Sequence, residues 1–171
     1  MTLWPKRDLS SHPDRDIPIP ELEMRKLVGP TDVSAFEISE NENIYADLPE
    51  FMYERVFDLG CGCGRLARKL ILQRDAPNEY LGIDIHSGMI KWCKENLTTA
   101  NVNFQFKNFN AFNLGLNPSG LKHPDPLPFP VADGWATLVI AHSLFTHLTE
   151  NQIRDYLSEC ARALSTMGLI R

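Results

Sequence analysis

The stretch Arg55-Val-Phe-Asp-Leu-Gly-Cys-Gly-Cys-Gly-Arg-Leu-Ala-Arg-Lys69 decides how this chain is read. It reads as a buried strand, then a glycine-rich turn, then the start of a helix. The turn is Asp58-x-Gly60-x-Gly62-x-Gly64. Glycine at every second position lets the backbone take positive φ and approach a ligand with no Cβ in the way. The helix N-terminus just beyond offers free N–H groups and the positive end of a dipole. Such a turn suits a polar, nucleoside-bearing cofactor.

The spacing narrows the cofactor. A dinucleotide fingerprint is G-x-G-x-x-G, whereas this turn is G-x-G-x-G with an acid two residues before the first glycine. In this it resembles the class I methyltransferases that use S-adenosylmethionine. The resemblance implies a turn of Gly60, Cys61, Gly62 and Gly64 wrapped around the amino-acid end of the cofactor. Asp58 is then the contact of the methionine ammonium, directly or through water. Small residues fill the turn in that family, which accounts for Cys61 and Cys63.

Three further blocks extend the resemblance. Tyr80-Leu-Gly-Ile-Asp84 is an apolar strand ending in an acid 24 positions after Gly60, near the about 20 at which an acid accepts from ribose hydroxyls in a doubly wound sheet. The resemblance assigns Asp84 to both ribose hydroxyls. Ser87 is the expected N-cap of the next helix. Met89, Ile90, Cys93 and Leu97 form its apolar stripe, and Ile85 and Met89 are placed to flank adenine, with core packing the alternative for Met89. Alternating Phe104 and Phe106 predict a third strand. After it, Asn110-Ala111 stands where the family often has Asp-Ala facing the adenine amine, and an Asn carbonyl can accept from an amine as a carboxylate does. Phe112 packs on adenine or in the core. Ala136 to Ile140 predict a fourth strand, whose end at Ala141, His142 and Ser143 should line the methyl donor. Thr149-x-x-Gln152 is a capping-box pattern, opening a helix with Ile153, Leu157, Cys160 and Leu164 as its apolar face.

The expected fold is α/β: a Rossmann-like doubly wound sheet, mostly parallel, broken off after the start of a fifth strand at Leu164–Arg171. A complete fold of the resembled family has seven strands. A naturally short chain, a truncated one, and one that pairs with a copy of itself are the three explanations, and a homodimer covering the open edge is expected. The organisation is an N-terminal arm with short helices over 1–50 and a cofactor-binding domain over 51–171. Residues 1 to about 20 are polar and proline-rich, 21–28 suit a short helix stopped at Gly29-Pro30, and 114–130 form a long proline-rich loop.

Composition sets the remaining bounds. The 171 residues are 43% hydrophobic and 23% charged, with a net charge of −5. That suits a single globular domain, and the absence of a basic run disfavours nucleic acid. No apolar run or N-terminal h-region indicates a membrane span or secretory signal. Cys61, Cys63, Cys93 and Cys160 lack structural-zinc spacing, so no metal is expected and the cysteines read as reduced thiols of a cytoplasmic protein.

Words such as Ser143-Leu-Phe-Thr-His-Leu148 and Tyr156-Leu-Ser-Glu-Cys-Ala-Arg-Ala-Leu164 resemble a bacterial small-molecule methyltransferase subgroup whose members act on sugars and natural products among other acceptors. The resemblance implies methyl transfer from S-adenosylmethionine, giving S-adenosylhomocysteine, by an in-line displacement dominated by orientation. A hydroxyl acceptor needs a base, and His147 and His142 are the candidates. A cofactor-binding fragment without activity is one alternative. A nucleotide-binding oxidoreductase is the other, and the glycine spacing speaks against it. His123 and Asp125 in the long loop are either acceptor contacts or solvated side chains.

Overall fold

The computed structural model describes residues 17–98, 103–122 and 127–171. Most of the proline-rich arm, His123 and Asp125 lie outside the described residues. Five strands form one sheet in the order β3-β2-β1-β4-β5: β1 is Arg55–Leu59, β2 Glu79–Asp84, β3 Phe104–Asn108, β4 Ala136–Ile140 and β5 Leu164–Ile170. Every pairing is parallel. Helices α1 (Leu22–Lys26), α2 (Arg65–Leu72), α3 (Ser87–Asn96) and α4 (Glu150–Ala163) connect or cover them.

Burial on both faces explains the near-continuous apolar strands. Val56, Tyr80, Phe104 and Leu138 point to one face and pack with Leu66 and Leu70 of α2 and Ile90 and Cys93 of α3. Phe57, Leu81, Ile83 and Val139 point to the other and pack with Cys160 and Ala163 of α4. The sheet is therefore wound on both sides, and the order reverses at β1, which lies between β2 and β4. Ligands bind at such a switch point, beyond the carboxyl ends of the strands.

The N-terminal segment packs against the first face. Arg68 on α2 donates to the carbonyls of Ile17 (3.0 Å) and Phe36 (2.8 Å), and Phe36 is fully buried. The expected short helix is Leu22–Lys26, and the chain leaves it through Gly29 at φ +95°.

The all-parallel sheet fits the mostly parallel one expected, and its fifth strand, Leu164–Ile170, starts directly where α4 ends. Its pairing shifts between Ala136↔Leu164 and Leu138↔Leu169, and a Cβ on Gly168 would stand 2.9 Å from the Ala136 carbonyl oxygen, so glycine admits that close passage. The N-cap of α3 is His86 rather than Ser87: His86 is extended and its Nδ1 accepts from the Met89 N–H at 3.2 Å. On α4 the buried positions are Cys160 and Ala163, with Tyr156 packed against the same core, while Leu157 is 43% exposed. The capping box of Thr149 and Gln152 forms as the pattern predicts.

Thr137 ties β4 to the base of β1. Its buried Oγ1 accepts from the Arg55 N–H at 2.9 Å and lies 3.0 Å from the Met52 carbonyl, to which it can donate. Thr137→Val keeps the shape and leaves that N–H without its acceptor. The expected loss is about 1–3 kcal/mol, measured as a lower midpoint of urea unfolding with an unchanged slope.

Candidate active site

The turn after β1 meets the backbone demand its sequence implies. Gly60, Gly62 and Gly64 have φ of +73°, +54° and +77°, the left-handed region that costs a side chain most. The turn is stitched to β2: the N–H groups of Gly60 and Cys61 both donate to the Ile83 carbonyl, at 2.9 and 3.0 Å. Space is a second demand. A Cβ on Gly62 would stand 2.7 Å from Val28 Cγ1, and one on Gly64 2.3 Å from Leu97 Cδ1.

Two carboxylates flank the turn. Asp84, at the end of β2, accepts from the Gly62 N–H through Oδ2 (2.8 Å) and from the His86 N–H through Oδ1 (2.8 Å). It is thereby held between the turn and the α3 cap, and it still lines the cavity. Asp58 is 1% exposed. Among the described residues its side-chain hydrogen bond comes from the Tyr80 hydroxyl, 2.7 Å from Oδ2. Burial pushes the Asp58 carboxyl up to about 7, against the downward pull of the Tyr80 hydrogen bond, with the Asp84 charge adding to the rise and Arg65 opposing it.

These groups open on a cavity of about 940 Å³. Asp58, Gly60, Cys61 and Gly62 form its floor, and Asp84, Ile85 and Met89 one side. Ala111 and Phe112 form the next side, and His142, Ser143 and His147 the rim beyond β4. Ser143 has φ +58° without being glycine, a strained conformation of the kind that gathers at functional sites. Burial, then Arg65 and Lys69, hold His142 below the usual histidine value, so it is a neutral acceptor near pH 7.

Three expected site residues stand apart from the cavity lining. Gly64 is the N-cap of α2 and packs on Leu97 and Cys93. The Asn110 side chain accepts from Asn117 Nδ2 at 3.0 Å and braces the following loop. Ala141 is buried, and its N–H donates to the Arg171 carbonyl at 2.9 Å.

Other lining residues had no sequence signal pointing to them. Arg65 sits at the first position of α2, where the motif supplied only a helix start. Leu27 and Val28, after α1, cover the turn from the N-terminal side. Tyr156 and Asp155 come from α4, and Phe109, Phe129 and Tyr156 form an edge-on aromatic cluster behind them with centroids 5.1 to 6.4 Å apart. All four cysteines are buried free thiols, and burial pushes Cys63 up to about 11. Among the described residues no group of His, Cys, Asp and Glu is arranged to hold a metal ion, and no helix is long and apolar enough to cross a membrane.

Residues 56–168 match a family model described as a methyltransferase domain. That is more than half of the chain, so the chain belongs to the methyltransferase-domain family. Its fold and cofactor are those of a class I methyltransferase that uses S-adenosylmethionine. Among solved structures it is similar to the PH0226 protein of Pyrococcus horikoshii (22% identity, 68% of this chain and 46% of that one, TM-score 0.50). It is also similar to a SAM-dependent methyltransferase of Aquifex aeolicus (18% identity, 86% and 69%, TM-score 0.53). A third is phosphoethanolamine N-methyltransferase 1 of Haemonchus contortus, solved with phosphoethanolamine and S-adenosylhomocysteine (19% identity, 73% and 23%, TM-score 0.55). The chain spans less than half the length of the Pyrococcus protein and of a Bacillus YcgJ protein, 46% and 42%.

The state of Asp58 makes a stability prediction for the ligand-free protein. Its folded pKa, about 7, lies above the unfolded value of about 3.9, so the folded state binds the proton more tightly. The stability this contributes is full below about pH 4 and is lost as pH rises through 7. Asp58→Asn stays neutral throughout. In thermal unfolding of ligand-free protein it should flatten the decline between pH 5 and 8 and melt above wild type at pH 8; parallel profiles would contradict this.

Proposed function

We propose that this chain transfers the methyl group of S-adenosylmethionine to a small-molecule acceptor, and that its short sheet suffices to hold the cofactor. The observation that carries this reading is the pairing of two carboxylates, Asp58 and Asp84, on either side of a left-handed glycine turn at the floor of one cavity. The donor set suits the cofactor. A buried carboxylate whose side-chain hydrogen bond comes from a neutral hydroxyl is short of a cation, which an ammonium supplies. A second carboxylate with both oxygens already fixed by N–H groups keeps lone pairs for a diol.

In this reading Asp58 takes the methionine ammonium and Asp84 the ribose hydroxyls. The turn backbone at Gly60, Cys61 and Gly62 lies against the amino-acid end. Ile85, Met89 and Phe112 sandwich the adenine, with the Ala111 main chain at its edge. Gly64, Asn110 and Ala141 serve by placing these elements, since their own groups are engaged elsewhere. The bound cofactor supplies a methyl group on a sulfonium. The chain contributes orientation and exclusion of water. His142 or His147, at the rim, accepts the proton of a hydroxyl acceptor.

Size and charge support a small acceptor. A single drug-sized ligand fills roughly 300–1,000 Å³, so a cavity of about 940 Å³ has room for the cofactor and a small partner. The net charge of −5 does not favour a polyanion. The four buried thiols suit a cytoplasmic setting.

Calorimetric titration with S-adenosylhomocysteine should show micromolar binding by wild type. Asp84→Ala, checked for folding by circular dichroism, should weaken it at least about tenfold, the scale of one lost charge-assisted hydrogen-bond set. Unchanged affinity would remove Asp84 from the site. Once an acceptor hydroxyl is found by screening for S-adenosylhomocysteine release, His142→Gln and His147→Gln separate the two bases. The base should lose about 10²–10⁴ in rate with cofactor affinity kept, and equal small losses in both would mean that neither acts.

A further inference from the structure

Tyr80 touches no part of the cavity, yet it controls the group at its floor. Its ring is 1% exposed, stacked on Phe104 with centroids 4.6 Å apart and tilted against Phe106 at 5.5 Å. In β2 the residue two positions on, on the same face, is Gly82, and a Cβ there would stand 2.8 Å from the Tyr80 hydroxyl. The register pairs Gly82 with Asp58 of β1. The phenol therefore lies along the strand over the missing side chain and crosses to the neighbouring strand, meeting Asp58 Oδ2 at 2.7 Å. Two aromatic neighbours hold the ring with its hydroxyl against Asp58.

We propose that Tyr80 is a positioning residue for cofactor binding: through the space left by Gly82 it holds the Asp58 carboxylate oriented and charged to receive the ligand's ammonium. This rests on Asp58 being the ammonium contact. A buried carboxylate favours the neutral acid, and a neutral acid attracts an ammonium far less. The other groups that face Asp58 do not replace the phenol. Asp84, from the end of β2, opposes its charge, and Arg65, from the start of α2, favours it without a hydrogen bond to it. Cys61 on the turn and Tyr45 from the N-terminal segment are held in their neutral forms by burial, which pushes Tyr45 up to about 12. Tyr80 is likewise held neutral, so it donates its proton at every working pH.

The experiment is the pH profile of S-adenosylhomocysteine affinity for wild type, Tyr80→Phe, Gly82→Ala and Asp58→Asn between pH 5.5 and 7.5, below the range where the ligand's own amine titrates. Wild type should bind more tightly as pH rises towards an inflection near 7. Tyr80→Phe should move that inflection up by about one pH unit, so that affinity falls about tenfold near pH 6 and the gap narrows as pH rises. Gly82→Ala, whose Cβ displaces the phenol and also presses on Cys61, should show the same shift of the inflection on top of any pH-independent loss, and serves if Tyr80→Phe does not fold. An equal loss at every pH, or no loss, would overturn the role of Tyr80. An Asp58→Asn protein that binds as wild type does would instead overturn the ammonium contact itself, so the two failures are told apart.

Discussion

The left-handed turn between β1 and α2 is the constraint on which the rest of the site depends. Residues 60, 62 and 64 must all take positive φ, and at 62 and 64 a side chain would also strike Val28 or Leu97. Because the turn is that tight, α2 starts only one residue past it. The Ile83 carbonyl can then accept two N–H groups from the turn, and Asp84 a third. The carboxyl ends of β1 and β2 are thereby locked together. Asp58 and Asp84 are brought to one floor not by their separation in sequence but by the parallel register Asp58↔Gly82 and this cross-link.

That arrangement sets stability against function. A carboxylate is placed on a strand where its neighbours on both sides are apolar, and desolvation alone would neutralise it. One neutral donor offsets part of that cost, and the ligand is left to supply the rest. Such a site is a poor design for a ligand-free protein and a good one for a cationic group, since the free energy of burying the charge is recovered only on binding. The N-terminal segment is part of the same balance. Phe36, Cys63 and Met89 form a small core with Val28 packed on it, so the chain before β1 closes the turn from outside and keeps water from that flank.

The sequence was most legible where a feature is local. Strand ends, the three glycines, both acids and the Thr149 capping box are each written within a few residues, and the structure places them as read. The misreadings are all of features decided at a distance. Ser outranks His as an N-cap by propensity, but Asp84 holds the His86 N–H and keeps that residue extended, so the imidazole is the side chain in position. Helical spacing allows two adjacent stripes on α4, one through Leu157 and one through Tyr156, and only the aromatic cluster of Phe109 and Phe129 decides which faces in. Asn110 sits at the right place in the chain, yet its amide partner, Asn117, lies seven residues on, in the Asn117-Pro-Ser-Gly120 turn, whose sequence announces a turn but not what it packs against. Tyr80 and Arg65 were invisible for the same reason: each acts on a group in another element.

The two sides of the cavity are built by different means. The cofactor side rests on backbone geometry, on glycines and strand ends that tolerate little change. The other side is made of side chains from residues 127–131 and α4, joined to the sheet through Phe109, Phe129 and Tyr156 in edge-on contact. Arg162 secures that joint, donating to the carbonyls of Phe129 and Val131 and to Glu159, whose own oxygen accepts from the Phe129 N–H. A substitution facing the cavity from α4 at Asp155 leaves this joint, the α4 capping box and the turn untouched. Acceptor preference can therefore change on that wall with the hydrogen bonds of the turn to Ile83 and Asp84 kept, even though the two walls meet where the Phe109 N–H donates to the Asp84 carbonyl at 2.9 Å.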